Sequence, residues 1–434
     1  MKAGLGPLFI GRLLDLLIFP LFLIVIWFFM RMLFYNRVAF FAVLLGSSVY
    51  SFYLATTNFI PAAIAVILGL LSIIAEEKNK IISSSILLSL SFYAHAQIPW
   101  VFAAVFLIYG LLNKDRFKKC VVTLISGIIL SLPIILYLFK NRFYYTRQLA
   151  HENFAIEMNI IIILSALAIH TIIKEKKRYY ILPALAISVI PFIPTYPYRY
   201  ISGQGLVGFI LLAAVGIDNA YEAIQGFLAS HSYYRTRSLF PIALIVIFTL
   251  FSPSICFRRP ENTRFIIFNS TYINLTFPPR DQFRRNDYSI VSSKFIPELV
   301  KSIQENSKGD DIIFTNIDSI DTALASLSNR ASARGMLGEI PPYKTQDPFA
   351  SSRLVVWFKY YNSGLDKRLF DLVARNKLVK IKETEIASIY KNPGARSKPE
   401  NRKPVISNKV IFALAALIIC LLLWDLSSPH FRLT

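Results

Sequence analysis

Long apolar runs recur along almost the whole chain, and they constrain its fold more than any other feature. A bilayer span needs roughly 17–25 apolar residues. Runs that approach this length are expected at about 13–31, 38–56, 59–75, 81–95, 98–113, 120–139, 158–173, 179–194, 201–217, 239–256 and 409–424. Pro99 and the polar stretch YAHAQIP predict a break between the fourth and fifth of these. The composition agrees: 55% of the residues are hydrophobic and 17% are charged, against about 25% charged in a typical soluble domain. Such a chain is neither disordered nor fibrous nor a plain soluble enzyme. The expected fold is a multi-pass α-helical membrane protein of about eleven spans.

Lys and Arg exceed Asp and Glu by 47 to 26, a formal charge of +21. The position of that charge decides its meaning. If the loops alternate across the membrane, one set holds fourteen basic residues, from Arg31 and Arg37 to Arg235 and Arg237. The opposite short loops and the N-terminal tail hold six: Lys2, Arg12, Lys140, Arg142, Arg147 and Arg199. The positive-inside rule places the richer set in the cytoplasm. Nucleic-acid binding would need one basic face with stacking aromatics, so that class is set aside. The expected location is the cell membrane, with residues 257–408 outside the cytoplasm. The N-terminus also falls outside, with no signal sequence before the first span. Cys120, Cys256 and Cys420 lie in or beside apolar runs and have neither metal nor disulfide spacing.

The expected domains are a transmembrane core over 1–256, an α/β domain over 257–395, a linker over 396–408, and a last helix with a short tail over 409–434. In the α/β domain FIPELVKSIQENS has helical spacing, and Ile312–Thr315 reads as a buried strand. SIDTALASLSNR reads as a helix, LVVWFKYY as a strand, LFDLVARNK as a helix, and LVKIKETEIASIYKN as a hairpin. This alternation predicts a partly parallel sheet.

Several polar groups sit where chemistry could occur. Arg199 lies at the outer mouth of a span between Tyr198 and Tyr200. A guanidinium there can hold a phosphate in a bidentate grip. It can equally be an interfacial arginine among belt tyrosines, and physics alone favours that plainer reading. His95 ends a span beside Gln97 and Trp100, either facing a cavity or capping a neighbouring carbonyl. The outer stretch 140–159 carries Arg142, Arg147, His151, Glu152 and Glu157 among aromatics and reads as an amphipathic surface helix. Glu152 or Glu157 could serve as a base, and the spacing selects neither. Arg12 and Asp15 can pair on a helix. SNRASARGMLGE lacks nucleotide-loop spacing. Asp310, Asp311, Asp318 and Asp321 form only a loose acidic set. Two N-x-S/T sequons begin at Asn269 and Asn274.

PYRYISGQGLVGFILLAAVGID resembles an element of the GT-C membrane glycosyltransferases. In that element an RY pair is followed by a polar kink and an apolar Ala-Ala-x-Gly helix. The family includes polyprenyl-phosphate-sugar-dependent enzymes related to protein O-mannosyltransferases. The segment from IGRLLDLL to LLSIIA is similar to the family's second to fourth helices, and SFYAHAQIPWVFAAVFLIYG to its next pair. DDIIFTNIDSIDTALASLSNRASARG and ETEIASIYKN resemble attached C-terminal domains. The resemblance implies hexosyl transfer from a polyprenyl-phosphate carrier to a glycan, protein or lipid acceptor on the outer face, with inversion. It implies a carboxylate in the first outer loop, acting as base or holding a divalent metal. Arg199 would match the arginine that contacts the lipid phosphate, with Tyr198 and Tyr200 adjacent. His95, Gln97, Arg147, His151 and Glu152 would line the substrate cavity.

The chain departs from this pattern at its start. It opens at the position of the family's second helix, so the acidic loop has no counterpart, and the outward N-terminus agrees. The expectation is an N-terminal truncation, which upstream genomic sequence tests. The alternatives are a non-catalytic envelope scaffold and a lipid or polysaccharide transporter. A transporter would show inverted repeats and broken charged helices, and neither is visible.

Overall fold

The computed structural model describes residues 7–58, 60–140, 156–174, 177–194, 197–230, 234–257, 263–277, 295–309, 311–316, 320, 324–325, 327–333, 352–359, 371 and 373–395. They fall into two units. One is built mainly from Phe9–Tyr137 and Leu149–Pro278, the other mainly from Pro279–Asn408. The expected last span, 409–424, lies outside the described residues, as does the linker.

The first unit is helical. Its elements are α1 (Pro7–Leu33), α2 (Asn36–Ser48), α3 (Tyr50–Asn58), α4 (Ile60–Glu77), α5 (Ile81–Ala94), α6 (Ile98–Leu112) and α7 (Lys114–Lys140). After β1 (Ile156–Asn159) come α8 (Ile161–Lys174), α9 (Ile181–Ile187), α10 (Val207–Ser230) and α11 (Tyr234–Leu250). Strands β2 (Ser254–Phe257) and β3 (Thr263–Ile266) and the short α12 (Thr271–Thr276) complete it. Four described helical stretches are long and apolar enough to cross a membrane: Leu16–Leu33, Ile60–Glu77, Lys114–Phe139 and Gln204–Ser230. The other apolar helices are shorter. Leu16, Phe28, Ile129 and Leu239 are exposed on α1, α7 and α11. An outer surface this apolar suits lipid and would aggregate in water.

The run expected over 38–56 divides into α2 and α3. Val49 adopts an extended conformation between them and forms an isolated antiparallel bridge with Ser270. Nothing local forces this break, since no Pro or Gly stands there; a partner more than two hundred residues away does. The break predicted near Pro99 is present between α5 and α6. The run over 179–194 becomes α9 flanked by short 3-10 turns.

Polar clasps join the loop ends of the helices. Tyr35 and Arg37, at the start of α2, hydrogen-bond Asp218 on α10, and Arg37 also reaches Glu222. Burial and the hydrogen bond to Asp218 push the Tyr35 hydroxyl up to about 12. At the α4–α5 turn Arg116 of α7 donates to the carbonyls of Glu76 and Glu77, each at 3.3 Å, and to Asn79 Oδ1 at 3.0 Å. Its guanidinium lies 3.6 Å from both buried carboxylates.

The second unit has one mixed sheet of order β5-β4-β6-β8-β7. The strands are β4 (Ile312–Thr315), β5 (Ala331–Ser332), β6 (Leu354–Phe358), β7 (Val379–Glu383) and β8 (Ala387–Lys391), with α13 (Phe295–Asn306) preceding them. β4 runs parallel to β5 and β6, while β8 is antiparallel to β6 and β7. Every residue of β6 is buried, which matches its unbroken apolar run. One face packs Leu299 and Ile303 of α13 on Ile313 and Val356. The other gathers Phe314, Val355, Trp357 and Tyr390. The boundary between units falls near 278, later than the 257 expected, because β2, β3 and α12 pair and bond with the helical unit.

Candidate functional site

Two chain segments bring polar groups together inside the helical unit, and a third packs against them. The first is the α5–α6 junction. α5 ends as His95 takes an extended conformation, and Gln97 caps α6 with Pro99 in its first turn. His95 Nδ1 accepts from the backbone N–H groups of Gln97 at 3.1 Å and Ile98 at 3.2 Å. These donors are orphans of the α6 start, so the ring fills the role of a capping side chain. They also fix the ring's direction. Its Nε2 points at Arg199 Nη1, 3.0 Å away. The same Nη1 lies 3.4 Å from Gln97 Oε1.

The second segment is the turn that carries Arg199. Tyr198–Ser202 forms a single π-helical turn after Pro197, a feature that recurs at functional sites. Gly203 and Gly205 let the chain fold back tightly behind it. A Cβ on Gly205 would sit 2.5 Å from the Tyr200 carbonyl oxygen, and one on Gly203 3.0 Å from Ala55 Cβ. Between them Gln204 donates to the Ala55 carbonyl at 2.6 Å, which ties the turn to α3. Arg199 is 4% exposed and Tyr200 fully buried. The Tyr200 ring lies 5.8 Å from that of Phe192, and its hydroxyl has no hydrogen-bond partner among the described residues.

The third segment is β1, which packs against this turn. Glu157 lies on β1 opposite Cys256; its side chain is outside the described set.

The contact between His95 and Arg199 has a chemical consequence. A neutral imidazole has one acceptor nitrogen and one N–H. Here N–H donors approach both ring nitrogens, two from the backbone and one from a permanently charged guanidinium. One of the two approaches therefore sets donor against donor. An anionic oxygen placed against Nε2 and Nη1 removes the conflict by accepting from both, and such charge-assisted bonds are the strong ones.

The structure thus joins Arg199, His95 and Gln97, which lie about a hundred residues apart in sequence. Tyr198 packs partly buried against the helical core. Trp100 meets Phe92 edge to face at 5.0 Å. Arg142, Arg147, His151 and Glu152 lie outside the described residues, as do the side chains of Arg12 and Asp15. Of the loose acidic set, Asp311 accepts the Lys308 N–H at 2.7 Å within a turn. In the Gly/Arg loop, Arg330 staples Ser307 through its hydroxyl and carbonyl, both at 2.8 Å. No cluster of three or more His, Cys, Asp or Glu that could hold a metal occurs among the described residues. Gln204 was not a sequence candidate, although its place between two glycines after the RY pair marks a turn that needs fixing.

No protein-family profile matches the chain, and no curated protein matches it. Among solved structures it is similar to the crystal structure of ArnT from Cupriavidus metallidurans in the apo state, with 10% identity and a TM-score of 0.45. That match covers 90% of this chain and 84% of the other. It is also similar to ArnT from the same organism bound to undecaprenyl phosphate, with 11% identity and a TM-score of 0.44, covering 89% and 85%.

Proposed function

We propose that this chain is a membrane glycosyltransferase that takes a sugar from a polyprenyl-phosphate carrier, with Arg199 and His95 holding the carrier's phosphate. The observation that carries the reading is the 3.0 Å contact between Arg199 Nη1 and His95 Nε2, whose donors are complementary to an anionic oxygen. The setting supports it. The pair is enclosed within an apolar helical unit whose exposed face suits lipid, and a phosphate held there would come from a molecule that partitions into the membrane.

In this reading the bond between the sugar's anomeric carbon and the phosphate oxygen breaks. Its electron pair passes to that oxygen, and the acceptor attacks the opposite face of the carbon. Charge grows on the departing phosphate, where fixed donors in a dry site stabilise it most. Gln97 and the capped backbone hold the imidazole in place, and Gln204 holds the turn. The acceptor hydroxyl gives up its proton to a general base as it attacks. The acceptor class is a glycan, a protein or a lipid.

A transfer assay with radiolabelled polyprenyl-phosphate sugars tests this. Removing a single positioned donor from a developing anion costs about 10²–10³-fold in rate. Arg199→Ala is expected to lose at least that much while the chain stays folded. Full activity in folded Arg199→Ala would refute the reading.

A further inference from the structure

The three-stranded sheet and the segment that follows it to Phe277 are patterned inside out. In the three-stranded sheet Met158 pairs with Ile255, and Ile255 with Phe265. This cross-strand row is exposed, at 38%, 37% and 66% respectively. The neighbouring row, Asn159 and Ser254, is buried. Asn159 donates to Ser252 Oγ at 2.8 Å, and Asn269 to Ser254 Oγ at 2.7 Å. The inversion continues past β3. Ile267, Phe268, Leu275 and Phe277 are exposed, while Asn269, Ser270, Thr271 and Asn274 are buried. Ser270 Oγ donates to the Thr249 carbonyl of α11 and accepts from Ile273 N, and Asn274 donates to Asn269 Oδ1. The Tyr272 hydroxyl turns inward to Ser47 Oγ, 2.8 Å away, while its ring stays exposed. Both sequon asparagines are therefore internal hydrogen-bonding groups.

In water such a surface would be costly, because the polar side chains are spent inward and the aromatic ones face out. We propose that this segment is a membrane-interface platform, whose Met158–Ile255–Phe265 row and following aromatic residues rest on the lipids of one leaflet. Three observations argue for lipid as the occupant. Strand β2 of the sheet begins directly after α11, whose Ile242, Val246 and Leu250 are exposed apolar residues. Phe265, Phe268, Leu275 and Phe277 are exposed residues of the kind that interfacial segments bury in the headgroup boundary. The sheet has three strands and open edges, which excludes the hydrocarbon core but not the hydrated interface. β1 packs against the Arg199 turn, so the platform would set that turn at the depth of lipid headgroups. The inference rests on the membrane part of the proposed function and not on the anion site.

Nitroxide accessibility in the full chain tests it. Labels go at Phe265→Cys and Phe277→Cys in a cysteine-free background reconstituted into phosphatidylcholine bilayers. Ile242→Cys is the lipid reference and Val379→Cys, exposed on β7, the water reference. At 265 and 277 dissolved oxygen should relax the label more than a nickel chelate does, at a depth shallower than 242. Chelate access equal to that at 379 overturns the proposal. So does protection from both agents, which would mean that protein covers the patch. Polar behaviour at 242 would instead sink the membrane reading itself. If the cysteine-free chain does not fold, the unmodified chain is photolabelled with a lipid carrying a diazirine near its headgroup. Adducts within 263–277 are expected, and labelling of α11 without them overturns the proposal.

Discussion

Arg199 and His95 show how a residue's neighbours set its meaning. In the sequence, an arginine between two tyrosines at a span end fits an ordinary interfacial anchor. In the structure it is almost fully buried and faces an imidazole whose other nitrogen is engaged by two backbone donors. The enzyme reading of the sequence required Arg199 and His95 to converge; their direct contact was not legible, because the partners come from segments a hundred residues apart. The carboxylates Glu76 and Glu77 carry the same lesson. They directly follow the apolar run over 59–75, and both are buried beneath one guanidinium. Breaking a buried ion pair from one side costs about 3–5 kcal/mol. Arg116→Met is accordingly expected to destabilise the protein by about that amount and Glu77→Gln by less, since Gln keeps an acceptor for the Tyr109 hydroxyl and Glu76 keeps Arg116. Unfolding of the two variants in detergent checks this, and equal small losses would contradict it.

At the scale of elements, those with strong local signals could be read from periodicity and turn chemistry. The expected strand Ile312–Thr315 is β4, the helix over 295–307 is α13, and the hairpin near the C-terminal end of the α/β unit is β7–β8. These have strong local signals: an unbroken apolar run, an apolar stripe at helical spacing, and two short strands close in sequence. The break at Val49 had none, because a distant bridge creates it. The π-helical turn also escaped prediction, although GQG after the RY pair marked a tight place. Its geometry yields a sharp test. Ala at 205 must displace the Tyr200 carbonyl, which its Cβ would meet at 2.5 Å, whereas Ala at 226 on α10 meets nothing within 4 Å. Gly205→Ala is expected to abolish transfer and lower thermal stability. Gly226→Ala should leave transfer unchanged and hold or raise stability, since Ala is favoured over Gly within a helix by roughly 1 kcal/mol. Equal behaviour of the two would contradict the account of the turn.

For the whole molecule, the +21 balance is a matter of placement. Fourteen of the basic residues fall at alternate ends of the spans expected from the sequence, and this bias predicts an orientation with the α4–α5 and α6–α7 turns in the cytoplasm. In sealed right-side-out vesicles, Lys118→Cys should react with an impermeant maleimide only after the membrane is opened. Val379→Cys in the α/β unit should react at once. The reverse pattern would invert the assignment. The sequence begins the extracytoplasmic α/β domain at 257, where polar residues become common. The structure returns 254–277 to the helical unit, with those polar residues turned inward.

The proposed reaction requires that Arg199 and His95 act together on one phosphate. The most direct measurement is the affinity of the folded chain for a polyprenyl monophosphate and for the matching polyprenyl alcohol, in wild type, Arg199→Ala, His95→Ala and the double variant. Each single variant should weaken monophosphate binding about tenfold or more, as expected for a lost charge-assisted bond worth about 1.5–3 kcal/mol. The double variant should be far less than additive, and alcohol binding should not change. Unchanged monophosphate affinity in both single variants, or equal losses for phosphate and alcohol, would contradict the claim.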